Sequence, residues 1–176
     1  ILIVGGSLGA RTVNESVLNH LDEIKNSEVQ FIWQTGKFYN AQIMDKLKEY
    51  PVMPMLKVLD FISDMGTAYK TADLVISRAG ASSISEFCLI GKPVILVPSP
   101  NVAEDHQTKN AMALVSKNAA LMVKDVEARE KVIKLALDTV LDQQKLDSLS
   151  FNIKKLGLSD SADIIADEVL DLAENK

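Results

Sequence analysis

The fold is decided by residues 1–10, which read ILIVGGSLGA. Four apolar residues in a row predict a buried strand, and the glycines after them predict a tight turn. Residues from about 10 to 25 have helical spacing of their apolar side chains and predict an amphipathic helix. A strand that leads through a glycine turn into a helix is typical of the first unit of a doubly wound α/β sheet.

Short apolar runs and longer amphipathic stretches alternate along the rest of the chain. The predicted strands lie at 1–5, 29–34, 55–59, 73–77, 93–97 and 119–123. The predicted helices lie at about 10–25, 38–49, 65–72, 82–91, 104–117, 126–142, 145–156 and 160–174. Runs such as 94–97 (VILV) are apolar without alternation, as in strands that are covered on both faces of a parallel sheet. We therefore predict an α/β fold with a Rossmann-like, doubly wound parallel sheet and extra C-terminal helices.

The composition is that of one globular domain of 176 residues, with 47% hydrophobic and 24% charged residues. A net charge of −5 argues against long-range attraction to nucleic acid or to anionic lipid. No apolar run approaches the ~18 residues that span a bilayer, so we expect a cytoplasmic protein without membrane insertion.

The single cysteine, Cys88, lies in an apolar run and is predicted to be a core residue. Because a strand already begins at Ile1, we expect a further segment to precede it in the natural protein.

The glycine turn after the first strand predicts a phosphate site. Gly6 and Gly9 allow the backbone to approach a ligand, Ser7 offers a hydroxyl group, and the new helix offers unpaired N–H groups. The alternative is a strand-to-helix turn in which Ser7 only caps the helix. The glycine pattern is G-G-x-x-G, and the second strand ends in QTGK at 34–37 without an acidic residue for a ribose. An NAD site is therefore disfavoured, and the P-loop pattern of nucleotide triphosphatases is absent from the sequence.

A second polar loop follows the fourth predicted strand. Gly80 and Ala81 would let a ligand approach the start of the next helix, where Ser82 and Ser83 offer hydroxyl groups. Glu86 lies one turn further and could accept hydrogen bonds from two ribose hydroxyls. The alternative is a capping box, in which Ser83 and Glu86 satisfy backbone N–H groups of their own helix. The pattern alone does not choose between them.

A third polar loop follows the fifth predicted strand and contains Asp105, His106, Gln107 and Asn110. These side chains suit the hydroxyl groups of a sugar, and the alternative is a solvated loop with Asp105 as a helix cap. His106 is not expected to bind a metal, because the only other histidine, His20, lies on a distant predicted helix. A role for His106 as a catalytic base stays open at this point.

Several of these stretches occur together in one known family. They are GGSLGAR at 5–11, QTGK at 34–37, FISDM at 61–65, SRAGA at 77–81 with Ser83 and Glu86, and DHQ at 105–107 with NA at 110–111. In this order and spacing they resemble the C-terminal domain of the MurG family of N-acetylglucosaminyltransferases. The resemblance covers nearly the whole chain.

The resemblance implies a GT-B architecture, in which two Rossmann-like domains face each other across a cleft. Residues 1–176 would form the C-terminal domain that binds UDP-N-acetylglucosamine, and the N-terminal acceptor domain would be absent from this chain. The implied reaction transfers N-acetylglucosamine, with inversion, to lipid I in peptidoglycan synthesis, without a metal or another cofactor. The general base and the lipid surface would belong to the absent domain, so this chain would hold no catalytic residue. The full-length protein would lie on the cytoplasmic face of the bacterial inner membrane.

The resemblance also implies roles for individual residues. Ile62 would present its backbone to the uracil, with Met65 close by, and Glu86 would bind the ribose. Ser7 and Ser83 would contact the diphosphate. His106, Gln107 and Asn110 would contact the sugar. The expected substrate-binding set is Gly6, Ser7, Gly9, Phe61, Ile62, Met65, Gly80, Ala81, Ser82, Ser83, Glu86, His106, Gln107 and Asn110.

The sequence leaves other functions open. One is a GT-B transferase for a different UDP-sugar, such as a glycolipid synthase. Another is an Alg13-like subunit that pairs with a separate membrane-bound partner. A nucleotide-binding module without catalysis, an NAD-dependent oxidoreductase domain and a purely structural α/β domain are the alternatives from other classes.

Overall fold

Six parallel strands form one sheet in the computed structural model, which describes residues 1–174. The strands are β1 (Leu2–Val4), β2 (Phe31–Gln34), β3 (Leu56–Leu59), β4 (Val75–Ser77), β5 (Val94–Leu96) and β6 (Leu121–Met122). Their order is β3-β2-β1-β4-β5-β6, and every neighbouring pair is parallel. The predicted doubly wound sheet is confirmed. The order reverses between β1 and β4, which is where open α/β sheets place their ligands.

Helices cover both faces of this sheet. They are α1 (Arg11–Asn19), α2 (Leu21–Asn26), α3 (Asn40–Leu47), α4 (Met65–Thr71), α5 (Ala81–Ile90), α6 (His106–Val115), α7 (Asp125–Val140), α8 (Gln143–Lys154) and α9 (Ser161–Glu174). A 3-10 turn at Ala103–Asp105 precedes α6, so the helix predicted from 104 begins two residues later. Glu104 and Asp105 have positive φ angles of 53°, which an α-helix does not accommodate.

The helix predicted over 10–25 is divided at His20. The backbone of His20 has φ −122° and ψ 25°, which ends α1 and lets α2 begin at Leu21. Its buried ring places Nδ1 2.8 Å from the carbonyl oxygen of Ser16, one turn back. This contact links the break to α1, and His20 is not among the residues that line the cleft at the carboxyl ends of β1 and β4.

The core has two layers, one on each face of the sheet. Ile3 faces the layer that contains α1 and α7, whereas Leu2 and Val4 face the layer that contains α4, α5 and α6. This alternation within one fully buried strand explains why the apolar run shows no polar positions. Cys88 is 5% exposed in the second layer, which confirms it as a core residue, and burial raises the pKa of its thiol.

The C-terminal helices differ in how they pack. Helix α8 buries Leu146, Leu149 and Ile153 with the predicted helical spacing. On α9 the apolar side chains are exposed in the described structure; they are Ile164, Ile165, Val169, Leu170 and Leu172. Within residues 1–174, none of the helices has both the length and the apolar character that a bilayer span requires.

Candidate functional site

A cleft of about 690 Å³ lies at the carboxyl ends of β1 and β4, where the strand order reverses. This volume lies within the ~300–1,000 Å³ that is typical of small-molecule sites. Its wall is built mainly from the loops after β1, β3, β4 and β5 and from the helices that follow them, and Gln34, Tyr39 and Asp125 also line it. All three polar loops singled out in the sequence therefore contribute to one cavity.

The glycine turn after β1 forms one side of this cleft. Gly6 and Gly9 have φ angles of +84° and +88°, and the N–H of Gly9 donates to the carbonyl oxygen of Gly6 at 2.9 Å. Helix α1 begins after Ala10, so Ser7 is not its N-cap, and the capping alternative for Ser7 is wrong. Since no side chain of the described residues caps α1, its first N–H groups are left for another acceptor.

Helix α5 starts at the end of the neighbouring strand β4. Its N-cap is Gly80, which has no side chain to cap the first turn. Ser83 therefore lies inside the helix, and the capping-box interpretation of Ser83 and Glu86 is wrong. Instead, Oε2 of Glu86 accepts a hydrogen bond from the hydroxyl of Tyr69 at 2.9 Å.

Two uncapped helix starts thus border the same cleft. Helices α1 and α5 contain 9 and 10 residues, and they follow adjacent parallel strands. Each start carries the positive end of a helix dipole and unpaired N–H donors. Together they form an environment that suits an extended anion such as a diphosphate.

An apolar surface lies on the β3 side of the cleft. Ile62 is 9% exposed, and Met65 is the first residue of α4. Phe61 is 45% exposed, and the ammonium group of Lys37 lies 5.4 Å from the centre of its ring. Asp64 caps α4 by accepting hydrogen bonds from the N–H and the hydroxyl of Thr67, which hold its pKa below the ordinary value. This surface suits a flat, partly apolar ring.

The loop after β5 is tied to the loop after β4 by two amide side chains. Oε1 of Gln107 accepts from the backbone N–H groups of Ala79 and Ser99 at 3.2 and 2.9 Å. Nδ2 of Asn110 donates to the carbonyl oxygen of Ala79 at 3.2 Å. Because both acceptor bonds use Oε1, the Nε2 amide of Gln107 is left to donate to a ligand in the cleft.

A buried ion pair that the sequence analysis did not predict closes the floor of the cleft. Nη1 of Arg78 lies 2.5 Å from Oδ1 of Asp125, and the two side chains are only 17% and 15% exposed. The same guanidinium nitrogen donates to the carbonyl oxygens of Val97 and Pro98 at 3.0 and 3.3 Å. Thr12 donates to Oδ2 of Asp125 at 3.0 Å. The group joins α1, α7 and the loops after β4 and β5.

Comparison with known proteins identifies the family of this chain. The model of the glycosyltransferase family 28 C-terminal domain matches residues 1–165.

The chain belongs to this family.

Relatives in Phocaeicola vulgatus and Porphyromonas gingivalis are 62% and 50% identical over 99% and 100% of the chain. Both are named UDP-N-acetylglucosamine--N-acetylmuramyl-(pentapeptide) pyrophosphoryl-undecaprenol N-acetylglucosamine transferase. The chain spans about half the length of the curated relatives it matches, since it covers 46% of each of these two. The resemblance stated from the sequence motifs is confirmed.

Solved structures agree with this assignment. The crystal structure of Acinetobacter baumannii MurG is 31% identical, with a TM-score of 0.82, over 97% of this chain and 51% of that chain. The solution structure of ALG13 is 18% identical, with a TM-score of 0.55, over 87% of this chain and 94% of that chain. At that identity, the second likeness shows the fold alone.

The family 28 domain brings most of the expected substrate-binding residues to the cleft wall. Those that line it are Gly6, Ser7, Gly9, Phe61, Ile62, Met65, Gly80, Ser83, Glu86 and Gln107. The expected residues outside the lining are Ala81, Ser82, His106 and Asn110. The ring of His106 is exposed, with Nδ1 2.9 Å from the carbonyl oxygen of Ala103, and the amide of Asn110 is turned toward Ala79.

Two further side chains of the family 28 domain, those of Asp105 and Tyr69, lie at or near the cleft loops. Asp105 stands at the N-cap of α6, but its carboxylate accepts from the hydroxyl of Thr108 at 2.7 Å and not from a backbone N–H. Tyr69 was not predicted from the sequence. It lines the cleft and is 7% exposed, and burial and Glu86 raise the pKa of its phenol. Across residues 1–174, His, Cys, Asp and Glu side chains form no group of three or more that could hold a metal ion.

Proposed function

We propose that this domain binds UDP-N-acetylglucosamine as the donor half of an inverting glycosyltransferase. The complete enzyme would transfer N-acetylglucosamine to lipid I and form lipid II for peptidoglycan synthesis, at the cytoplasmic face of the inner membrane. The names of the two relatives give this donor and an N-acetylmuramyl-pentapeptide pyrophosphoryl-undecaprenol acceptor for those proteins. Residues 1–176 would be the donor domain, and a separate N-terminal domain would bind the acceptor.

The observation that carries the proposal is the grouping of two uncapped helix starts and the carboxylate of Glu86 around a single cleft. The diphosphate would lie between Ser7 and Ser83, where the starts of α1 and α5 supply N–H donors. Glu86 would accept from the ribose hydroxyls. The uracil would lie against the backbone of Ile62, and the Nε2 amide of Gln107 would donate to a sugar hydroxyl.

This arrangement suits departure of UDP as the leaving group. When the 4-hydroxyl of the acceptor attacks C1 of the donor sugar, negative charge develops on the diphosphate. Fixed N–H donors and helix dipoles stabilise that charge without having to reorganise. The activation of the acceptor hydroxyl is assigned to the N-terminal domain, and no step is assigned to His106.

Calorimetric titration with UDP-N-acetylglucosamine tests the proposed donor site. We expect the chain to bind this nucleotide sugar, and we expect Glu86→Ala to weaken binding about 10- to 100-fold, since hydrogen bonds to a charged group are lost. NADH is expected not to bind. Glu130→Ala is a matched control, because Glu130 is an exposed acid on α7 outside the cleft.

The other outcomes of this titration separate the alternatives. UDP-glucose binding as tightly would keep the site but leave the identity of the donor sugar open. If the chain binds none of these nucleotides, it should be fused to the N-terminal domain of the Phocaeicola vulgatus relative and titrated again. Absence of binding by the fusion as well would overturn the donor role.

Transfer to a lipid I analogue tests the assignment of catalysis to a second domain. We expect no UDP release above background from the chain alone, because the acceptor surface and the general base are assigned elsewhere. A coupled assay for UDP measures this release. Measurable transfer by the 176-residue chain would contradict the division of roles and would require a base within the cleft.

A further inference from the structure

Tyr69 is held rigidly beside the carboxylate of Glu86. It lies on α4 with 7% of its surface exposed. Its ring packs edge to face against the buried ring of Phe87, with 5.5 Å between the ring centres. Phe87 is the residue next to Glu86 on α5. The phenol is therefore fixed by packing against the same helix that carries the carboxylate, and its hydroxyl reaches Oε2 of Glu86 at 2.9 Å.

Glu86 has few other constraints on its side chain. It is exposed, and among residues 1–174 it forms no ion pair and has the hydroxyl of Tyr69 as its one hydrogen-bond partner. A free glutamate side chain samples many rotamers, and ordering it when a ligand binds lowers the affinity. The bond from Tyr69 orders the carboxylate before the ligand arrives.

The direction of this hydrogen bond is determined by the chemistry of the two groups. Burial, together with Glu86, raises the pKa of Tyr69 above that of an ordinary phenol, so the hydroxyl stays protonated and donates. One lone pair of Oε2 is thereby used. Oε1 and the remaining lone pair of Oε2 can still accept hydrogen bonds from two neighbouring hydroxyl groups.

We propose that Tyr69 is a positioning residue, which holds Oε2 of Glu86 so that the carboxylate is preorganised for the 2′- and 3′-hydroxyls of the ribose. Tyr69 acts through Glu86 and needs no contact of its own with the nucleotide. The inference rests on the ribose role of Glu86 in the proposed function. It adds a determinant of selectivity for ribonucleotides that lies on a different helix from the carboxylate.

Tyr69→Phe, titrated with UDP and with 2′,3′-dideoxy-UDP, tests this proposal in the chain or, where the chain does not bind, in the fusion described above. We expect the Kd for UDP to rise about three- to tenfold, since Glu86 must then be ordered on binding. The Kd for the dideoxy nucleotide should not change, because that ligand has no hydroxyl for the carboxylate. Tyr50→Phe is the matched control, since Tyr50 lies outside the cleft.

Comparison with Glu86→Ala separates the failure of this inference from failure of the proposed function. If Glu86→Ala leaves the preference for UDP over the dideoxy nucleotide intact, the ribose role itself is wrong. If Glu86→Ala removes that preference and Tyr69→Phe does not reduce it, Tyr69 has no positioning role. Equal weakening of both nucleotides in Tyr69→Phe would also overturn the proposal, because it indicates a general loss of structure. Adding Tyr69→Phe to Glu86→Ala should have no further effect on the preference.

Discussion

Gly9→Ala is expected to lower the free energy of unfolding by about 3–5 kcal/mol. Gly9 has a φ of +88°, and a Cβ atom there would lie 2.1 Å from the carbonyl oxygen of Thr35. That oxygen accepts a hydrogen bond from Nδ2 of the buried Asn14 at 2.8 Å. The methyl group therefore adds backbone strain and displaces a buried acceptor from its donor. Urea denaturation of the purified variant measures the loss.

Gly6→Ala is the matched control for this prediction. Gly6 also has a positive φ, of +84°, but an added Cβ would meet nothing within 4 Å. We expect only the cost of a left-handed backbone, about 1–2 kcal/mol. Equal losses in the two variants would show that the φ angle alone requires glycine, and that the close packing of the two loops contributes nothing to stability.

The centre of the sheet was predictable because β1, β4 and β5 are buried on both faces. An apolar run without alternation, such as the one around β5, indicates that environment directly. The break in the first helix was not predictable in the same way, because Val13, Val17, Leu21 and Ile24 keep helical spacing straight through it and all four are buried. The break depends on the backbone angles of His20 and on the contact of its ring with Ser16. The spacing of apolar residues gives no information about either.

The position of the cleft was predictable from the rule that ligands bind at the carboxyl ends of the strands. Gly9, Gly80 and Glu86 reach one cleft because β1 and β4 are neighbours in the sheet. Local sequence patterns were less reliable. Ser83 and Glu86 match a capping box in spacing, but the helix begins at Ala81, two residues before Ser83, and Glu86 bonds to a residue 17 positions away.

The third polar loop shows the same limit. His106 and Gln107 are adjacent in sequence, yet only Gln107 lines the cleft. Helical geometry turns neighbouring residues about 100° apart, so membership in one polar loop does not give a common direction. Arg78 and Asp125 were missed for a related reason, since they are 47 residues apart and meet only because β4, β5 and α7 pack together.

Breaking the buried ion pair by Asp125→Ala is expected to lower the free energy of unfolding by about 3 kcal/mol. The change leaves the guanidinium of Arg78 desolvated without its carboxylate, and it removes the acceptor of Thr12. It also removes an acid from the first turn of α7, where the helix dipole favours negative charge. Because Arg78 also holds the carbonyl oxygens of Val97 and Pro98, we expect weaker UDP binding as well. Denaturation and calorimetric titration of the same variant measure the two effects.

A double-mutant cycle with Arg78→Met separates the interaction energy between Arg78 and Asp125 from the energy of the other contacts that each side chain makes. The double variant should be less destabilised than the sum of the single variants, with a coupling of about 1–3 kcal/mol, because neither charge is then left buried alone. Lys48→Met with Asp45→Ala is the exposed control, since those side chains are 76% and 77% exposed and water screens their attraction. If the losses in free energy of unfolding at Arg78 and Asp125 simply add, as expected for the exposed pair, the ion pair does not hold α1, α7 and the loops after β4 and β5 together. The floor of the cleft would then be maintained by backbone packing alone.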